Sequence, residues 1–371
     1  MSSVLSLDQI RKIDHYNLLD DSECDQRIAV AKAALGKRLL ILGHHYQRDE
    51  VFKFADFSGD SLKLSQQAAN SEAEFIVFCG VHFMAEVADI LTYGKRKVIL
   101  PDLAAGCSMA DMANLIKVRK CWEELSALMN PDEKVTPVTY INSAADLKAF
   151  CGNHGGIVCT SSNARAVLEW SFSRREKVLF FPDQHLGRNT GVRMGIPLEQ
   201  MVTWDFSLPR GGLTEEQIKN AKIILWKGFC SVHQMFQPAH IDAFRAKHPD
   251  GKVISHPENA YEVCQKSDFV GSTEYILRTV RSARPGEHWL VGTELNLVNR
   301  IAAEMAPKGV MVQFMSPTVC MCSTMFRTDP QHLAWVLDNL VAGNVVNQIK
   351  VPKEIADPAR AALDLMLEVV D

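Results

Sequence analysis

Short runs of apolar, often β-branched residues recur along this chain, separated by stretches in which apolar positions return with a helical period. The runs are RLLILG (38–43), FIVFCG (75–80), KVILPD (97–102), VTPVTYIN (135–142), GIVCTSS (156–162), KVLFFPD (177–183), IILW (223–226), KVIS (252–255), SDFV (267–270), HWLVG (288–292) and VMVQF (310–314). Most are apolar at successive positions rather than at every second one, which is the signature of strands in a parallel sheet covered on both faces. The stretches between them, such as SLKLSQQAANSEAE, AEVADIL, SAADLKAF, NARAVLEWSF, HIDAFRAKH, NAYEVCQK and EYILRTVRS, predict the covering helices. The fold class is therefore α/β.

The same order of elements returns along the chain. RLLILG, FIVFCG and KVILPD form a first group, VTPVTYIN, GIVCTSS and KVLFFPD a second, and IILW, KVIS, SDFV and HWLVG a third. The interval from Cys79 to Leu100 matches those from Cys159 to Phe181 and from Val270 to Val291, and each suffices for one crossover helix and a strand. We expect three similar α/β units over 25–118, 119–212 and 213–345, with helical extensions at 1–24 and 346–371. One large doubly wound domain would show comparable spacing and stays open on this ground. The PRGG turn at Pro209–Gly212 is a sound boundary signal, whereas 118–120 carries no turn residue.

Composition narrows the functional classes. The chain has 371 residues, 47% hydrophobic and 23% charged, and a formal net charge of −4, which gives no electrostatic basis for binding nucleic acid or a membrane surface. Its first residues interleave acidic and basic side chains without the apolar core of a signal peptide, and no later run has the length of a membrane span. A cytoplasmic protein is expected. In a reducing compartment its ten cysteines are better candidates for metal binding or packing than for disulfides.

The cysteines divide by position. Cys79 and Cys159 lie in or beside apolar strands, and Cys24, Cys121, Cys151 and Cys264 in or beside helical stretches, where a small hydrophobe packs well. Cys107, Cys230, Cys320 and Cys322 instead follow strands in loop-like sequence: KVIL leads through PDLAAG to Cys107, IILW through KGF to Cys230, and VMVQF through MSPTV to Cys320 and Cys322. Ligands bind beyond the carboxyl ends of strands in open α/β sheets. These loops could converge on one metal centre, but no compact C-x-x-C-x-x-C signature is present, and spacing alone leaves metal binding and packing both open.

A set of motifs spanning nearly the whole chain resembles the quinolinate synthases, iron-sulfur enzymes of de novo NAD biosynthesis. The resemblance rests on GHHYQ (43–47), GDSL (59–62), GVHFMAE (80–86), GCSMAD (106–111), YINS (140–143), CTSSNA (159–164), PDQHLGRN (182–189), KGFCSVHQ (227–234), HPE (256–258), GST (271–273) and the late cysteine pair. It implies three α/β/α sandwich domains with parallel sheets around a pseudo-threefold axis, each giving one cysteine to a [4Fe-4S] cluster. It implies Cys107, Cys230 and one of Cys320 or Cys322 as ligands. Cys322 is preferred because Met325 follows it at the family's spacing, leaving Cys320 as a spare thiol, a redox partner or a packed residue. The implied reaction condenses iminoaspartate with dihydroxyacetone phosphate, losing phosphate and two waters to give quinolinate, and it leaves room for an enzyme that supplies iminoaspartate.

The resemblance also implies roles. His44 and His256 would bind substrate carboxylates, Tyr46 would act as acid/base with His44 beside it, and Glu258 would accept a proton. Ser61 and Ser161 would contact phosphate at helix starts, Tyr140, Asn142 and Thr273 would complete the substrate contacts, and Met84 would pack beside them. Each has a plainer reading: a satisfied structural histidine, a core tyrosine, or a serine that caps its helix. His45 matches no role, and Asp183, His185 and Arg188 read as structural side chains around a pocket that could also be functional. Two rivals stand beside this reading. One is a mononuclear metal-dependent lyase using His44, His233 and Glu258, the other an iron or redox sensor switched by Cys320 and Cys322. The sensor lacks a DNA-binding module, and the lyase lacks a compact ligand motif.

Overall fold

The computed structural model describes residues 11–319 and 321–369, so Cys320 lies outside the described residues. It is an α/β protein with three mainly parallel sheets and, among the described residues, 17 α-helices. The first sheet contains β1 (Leu39–His44), β2 (Phe57–Gly59), β3 (Phe75–Cys79) and β4 (Lys97–Ile99), all parallel and in the spatial order β2-β1-β3-β4. An antiparallel strand, Gln348–Ile349, pairs with the outer edge of β4. The second sheet contains β5 (Val135–Tyr140), β6 (Ile157–Cys159), β7 (Lys177–Phe181), β8 (Met201–Trp204) and β9 (Ile223–Trp226), in the order β6-β5-β7-β9-β8. The third contains β10 (Lys252–Ser255), β11 (Phe269–Val270), β12 (His288–Gly292) and β13 (Met311–Phe314), in the order β11-β10-β12-β13.

Setting β8 and the antiparallel edge strand aside, all three sheets share one plan, in which the second strand of the unit pairs with the first, then the third, then the fourth. The repeat expected from the sequence is therefore real, but its register differs in two places. The strand Ile223–Trp226, grouped by sequence with the third unit, is the fourth strand of the second sheet, paired with β7 through Val178↔Ile223 and Phe180↔Leu225. An apolar run reveals a buried strand but not its neighbour. In the first unit the interval from Cys79 to Leu100 joins third and fourth strands, whereas the other two intervals join second and third. The shift arises because β2 is only three residues long, with an exposed Phe57, and leaves no apolar run to read.

The chain forms two compact units. One is built from residues up to Gly106 together with Cys322–Val351 and contains the first sheet; the other is built from Cys107–Met321 together with the segment from Pro352 onward and contains the second and third sheets. In the first unit, helix Asp21–Leu35 opens at a reciprocal capping box between Asp20 and Glu23 and packs Cys24, Ile28 and Leu35 with Ile41 and Val77 of the sheet and Leu333 and Leu337 of helix Pro330–Val341. Each fully buried aliphatic side chain contributes about 1.5–3 kcal/mol. In the second unit, helix Lys353–Glu368 lies against helix Ala145–Asn153 so closely that a Cβ on Gly152 would meet the Pro358 carbonyl oxygen at 2.0 Å. Only glycine permits that approach. No described helix is long and apolar enough to cross a membrane.

Candidate active site and metal centre

The shared plan sorts the sequence-predicted residues by strand position. The carboxyl end of each sheet's first strand delivers a polar triplet: His44-x-Tyr46 after β1, Tyr140-x-Asn142 at the end of β5, and His256-x-Glu258 after β10. Each second strand leads to a hydroxyl near a helix start, namely Ser61 after β2, Ser161 after β6 and Thr273 after β11. Each fourth strand leads to a cysteine: Cys107 after β4, Cys230 after β9 and Cys322 after β13. The candidate chemistry thus stands at carboxyl strand ends, where α/β sheets place ligands.

Within the second unit, several of these residues meet in a buried array. Tyr140 Oη donates to Glu258 Oε1 at 2.7 Å, His233 Nδ1 lies 3.0 Å from Glu258 Oε2, and the rings of His233 and His256 stack with centroids 5.0 Å apart. His256 Nδ1 accepts from the Glu258 backbone N–H at 3.4 Å, which leaves its Nε2 as the protonated nitrogen available to a ligand. Burial opposes ionisation of Glu258, but the neighbouring histidines and the Tyr140 hydroxyl outweigh it and bring its carboxyl down to about 2. Asp183 moves the opposite way, driven up by burial and by repulsion from Glu258. Asn142 Oδ1 is buried without a hydrogen-bond partner, an acceptor suited to a donor on a ligand.

The supporting loops explain this placement. Lys148, fully buried, reaches back from its helix to donate to the carbonyls of Ile141 (2.8 Å) and Ser143, fixing the turn that carries Asn142. The Ser143 hydroxyl donates to Tyr140 O at 2.8 Å. Asp183 caps helix Gln184–Arg193 through the amides of His185 and Leu186. His185 Nε2 lies 2.6 Å from the Gln234 side-chain amide, and Arg188 donates to Thr203 Oγ1 at 2.8 Å, so these residues anchor the loops around the array. His233 entered the sequence reading only through the mononuclear rival, and Asn189, Asn259, Gln234 and Lys148 were missed. Their available signal was adjacency to the strand-end triplets.

The first unit holds its own predicted residues in the same manner. His44 Nδ1 accepts from the Tyr46 backbone N–H at 3.1 Å, the same i,i+2 arrangement as His256 and Glu258, and the two aromatic rings meet edge-on at 4.7 Å. Gln47, fully buried, donates to Thr328 O at 2.7 Å, and Arg48 lies over the Phe326 ring at 4.1 Å, which fastens this loop to the one that follows Cys322. The cap of helix Ser61–Ala69 is made by Asp60 rather than Ser61, so the capping role does not occupy the Ser61 hydroxyl. Met84 is buried, its sulfur lying where a Cβ on Gly80 would stand at 2.9 Å. His45 is buried beside Phe52.

Thiolates are the ligands that iron-sulfur clusters take, and three loop cysteines offer that chemistry. Cys107, Cys230 and Cys322 are all half-buried, and each opens a helical turn, its carbonyl accepting from the amide four residues on: Asp111 at 3.1 Å, Gln234 at 3.0 Å and Phe326 at 3.0 Å. The thiolate is the form that binds metal. The other six described cysteines are buried, and burial pushes their thiols up, to about 11 at Cys24 and about 12 at Cys79 and Cys264. In the second unit the Cys107 and Cys230 loops are fastened together: Trp226 Nε1 donates to Met112 O at 3.0 Å, and Phe229 N lies 3.4 Å from Met112 Sδ. Gly228 permits the bend before Cys230, since a Cβ there would meet Pro182 O at 2.1 Å. A second donor set overlaps this one, because ligand atoms of Cys230, His233 and Glu258 all lie within 4.8 Å of one another.

Two buried histidines make a pH prediction. Burial, aided by the Arg188 charge at His185, holds His185 down at about 4, and burial holds His256 down at about 3. Between the unfolded value of about 6.5 and these folded values, the unfolded chain binds protons that the folded chain does not, so stability rises with pH and is lost on acidification. The loss is about 1.4 kcal/mol per pH unit for each histidine. Glu258 acts in the same direction below pH ~4.3, and Asp183 in the opposite one. Urea unfolding from pH 6.5 to 4.5 should show a slope shallower by about one proton in His185→Gln than in the parent. Equal slopes would contradict the assignment.

Comparison with known proteins bears on the whole chain. The profile of the family described as "Quinolinate synthetase A protein" matches residues 26–368. A quinolinate synthase of Acidobacterium capsulatum is 56% identical over 96% of this chain and 96% of its own length. One from Herpetosiphon aurantiacus is 54% identical over 96% of both chains, and one from Corynebacterium glutamicum is 53% identical over 96% of this chain and 90% of its own. With strand-end triplets and cysteines repeated through the fold, and with this likeness running over nearly its full length, the chain belongs to the quinolinate synthase family of enzymes.

Proposed function

We propose that this chain condenses iminoaspartate with dihydroxyacetone phosphate to form quinolinate, releasing phosphate and two waters. The observation that carries the reading is the buried Tyr140–Glu258–His233 array at the strand ends of the second unit. It places an ionised carboxylate against the Tyr140 hydroxyl and the His233 ring, an arrangement that puts a proton acceptor at the strand ends without a basic patch.

Cys107, Cys230 and Cys322 would hold the [4Fe-4S] cluster, which when bound by three thiolates supplies an open iron acting as a Lewis acid on a substrate hydroxyl or carboxylate. The chain's own groups would do the rest. Glu258, ionised at neutral pH, accepts a proton as the substrate carbons rearrange, and Tyr140 holds the carboxylate in place through its hydroxyl. The Nε2–H of His256 binds a substrate carboxylate, and His44, with its Nδ1 engaged in the same way, binds a second. Tyr46 serves as acid/base at the end of β1, Asn142 Oδ1 accepts a substrate N–H or O–H, and Met84 packs beside the ligand. Ser61, Ser161 and Thr273 bring hydroxyls and helix-start amides to the phosphate and carboxylate groups. The enzyme would work in the cytoplasm on substrate delivered by an iminoaspartate-supplying enzyme.

Incubation of the anaerobically purified protein with iminoaspartate and dihydroxyacetone phosphate should yield quinolinate and phosphate in equal amounts. Absence of quinolinate from protein that carries its cluster would overturn the reading. A mononuclear reading draws on the Cys230, His233 and Glu258 donors, which could hold one zinc or iron ion. It is the less supported of the two because the relatives that match nearly the whole chain are quinolinate synthases, and His233 Nε2 already lies 3.3 Å from Thr293 Oγ1.

A further inference from the structure

Glu258 stands on the third sheet and Tyr140 on the second, so their 2.7 Å hydrogen bond requires that the two sheets be held in a fixed relation. Side chains cross this gap at several points, Arg193 Nη1 donating to Val270 O at 3.1 Å among them, and one of them brackets Glu258. Asn189, on helix Gln184–Arg193 after β7, is 2% exposed, and its Nδ2 lies 2.8 Å from Pro257 O, 2.8 Å from Asn259 O and 3.2 Å from Cys264 Sγ. Its two N–H groups therefore grip the backbone on both sides of Glu258. Asn259 completes the hold from within the third sheet, its Nδ2 donating to His256 O at 2.8 Å and Gly292 O at 2.9 Å. The carbonyls of residues 256, 257 and 259 are thereby all fixed by asparagine amides. The Asn189 helix is itself anchored on the second sheet by its Asp183 cap and by Gln184 N donating to Gly228 O at 3.0 Å.

We propose that Asn189 is a positioning residue for Glu258: it ties the His256–Glu258 loop to the sheet that carries Tyr140 and so sets the direction of the carboxylate. The inference rests on the proton-accepting role given above to Glu258. A neutral amide suits the task because it donates to two carbonyls at once without burying a charge, and aspartate of the same shape would face both carbonyls with like-charged oxygens.

A double-mutant cycle tests it on the cluster-loaded enzyme. Asn189→Ala in the parent should lower kcat by roughly 10- to 100-fold, the range for loss of a supporting shell, with iron content and thermal midpoint checked to confirm folding. In the Glu258→Gln background the same change should alter the residual rate by less than about twofold, since a residue acting through Glu258 has nothing left to orient. Equal losses in both backgrounds, or no loss in the parent, overturn the proposal. Full activity in Glu258→Gln alone would instead overturn the catalytic reading. Hydrogen exchange across residues 256–259 decides the structural half independently of turnover. It should rise in Asn189→Ala, and unchanged exchange overturns the proposal even for an inactive protein. Should the alanine variant fail to fold, Asn189→Ser, too short to span both carbonyls, takes its place in each measurement.

Discussion

Glu258→Gln is expected to lower the rate of quinolinate formation by roughly 10²- to 10⁴-fold, the range for losing a positioned proton acceptor, while the protein keeps its fold and its iron. Glutamine has nearly the same shape and can still accept from the Tyr140 hydroxyl through its carbonyl oxygen, so packing in the array survives. What disappears is the basic oxygen that lies 3.0 Å from His233. Asp183 is also relieved of a charged neighbour that drives its carboxyl up, so the substitution does not leave the site short of a counter-charge. Steady-state quinolinate formation under anaerobic conditions measures the effect, and a rate within about twofold of the parent would remove Glu258 from the mechanism.

Cys322→Ala is expected to abolish both cluster content and activity, whereas Cys320→Ala should retain both. A four-iron cluster held by three thiolates has no spare protein ligand, so loss of one leaves two irons without a protein donor. Cys322 is half-buried and opens a helical turn closed by the Phe326 amide, the geometry it shares with Cys107 and Cys230. Its sulfur lies 3.4 Å from Thr324 Oγ1, a hydroxyl placed to stabilise a thiolate. Cys151→Ala serves as the control for cysteine removal as such, because that thiol is fully buried and its pKa is raised by burial. Iron and acid-labile sulfide per chain read the outcome, and equal values in Cys322→Ala and Cys320→Ala would refute the ligand choice.

What could be seen in the sequence followed from its physics. Val98-Ile99, Ile223 to Trp226 and Val253-Ile254 are buried on both faces and read as strands without ambiguity, and among the described residues the six cysteines read as packed are buried while Cys107, Cys230 and Cys322 lie at loop positions. Strand pairing was harder, because nothing in Ile223–Trp226 says that it joins β7, and Phe57–Gly59 is too short and too exposed to announce itself. The supporting polar residues were hidden for another reason. Gln47, Lys148, Asn189 and Asn259 are nearly or fully buried, yet by composition each reads as surface, and only the carbonyls they satisfy give them a place inside. The recurrence of a polar residue, a gap and a second polar residue at 44–46, 140–142 and 256–258 was legible in principle, but it acquires meaning only once the three first strands are aligned by topology.

That Cys107, Cys230 and Cys322 would hold an iron-sulfur cluster is the proposal on which the rest of the chemistry depends. Its most direct test is purification without oxygen, followed by iron, zinc and acid-labile sulfide counts and a visible spectrum. The account predicts about four irons and four sulfides per chain, with a broad absorbance that bleaches in air. One zinc or one iron with no sulfide would contradict it and transfer the chemistry to Cys230, His233 and Glu258 as ligands of a single ion.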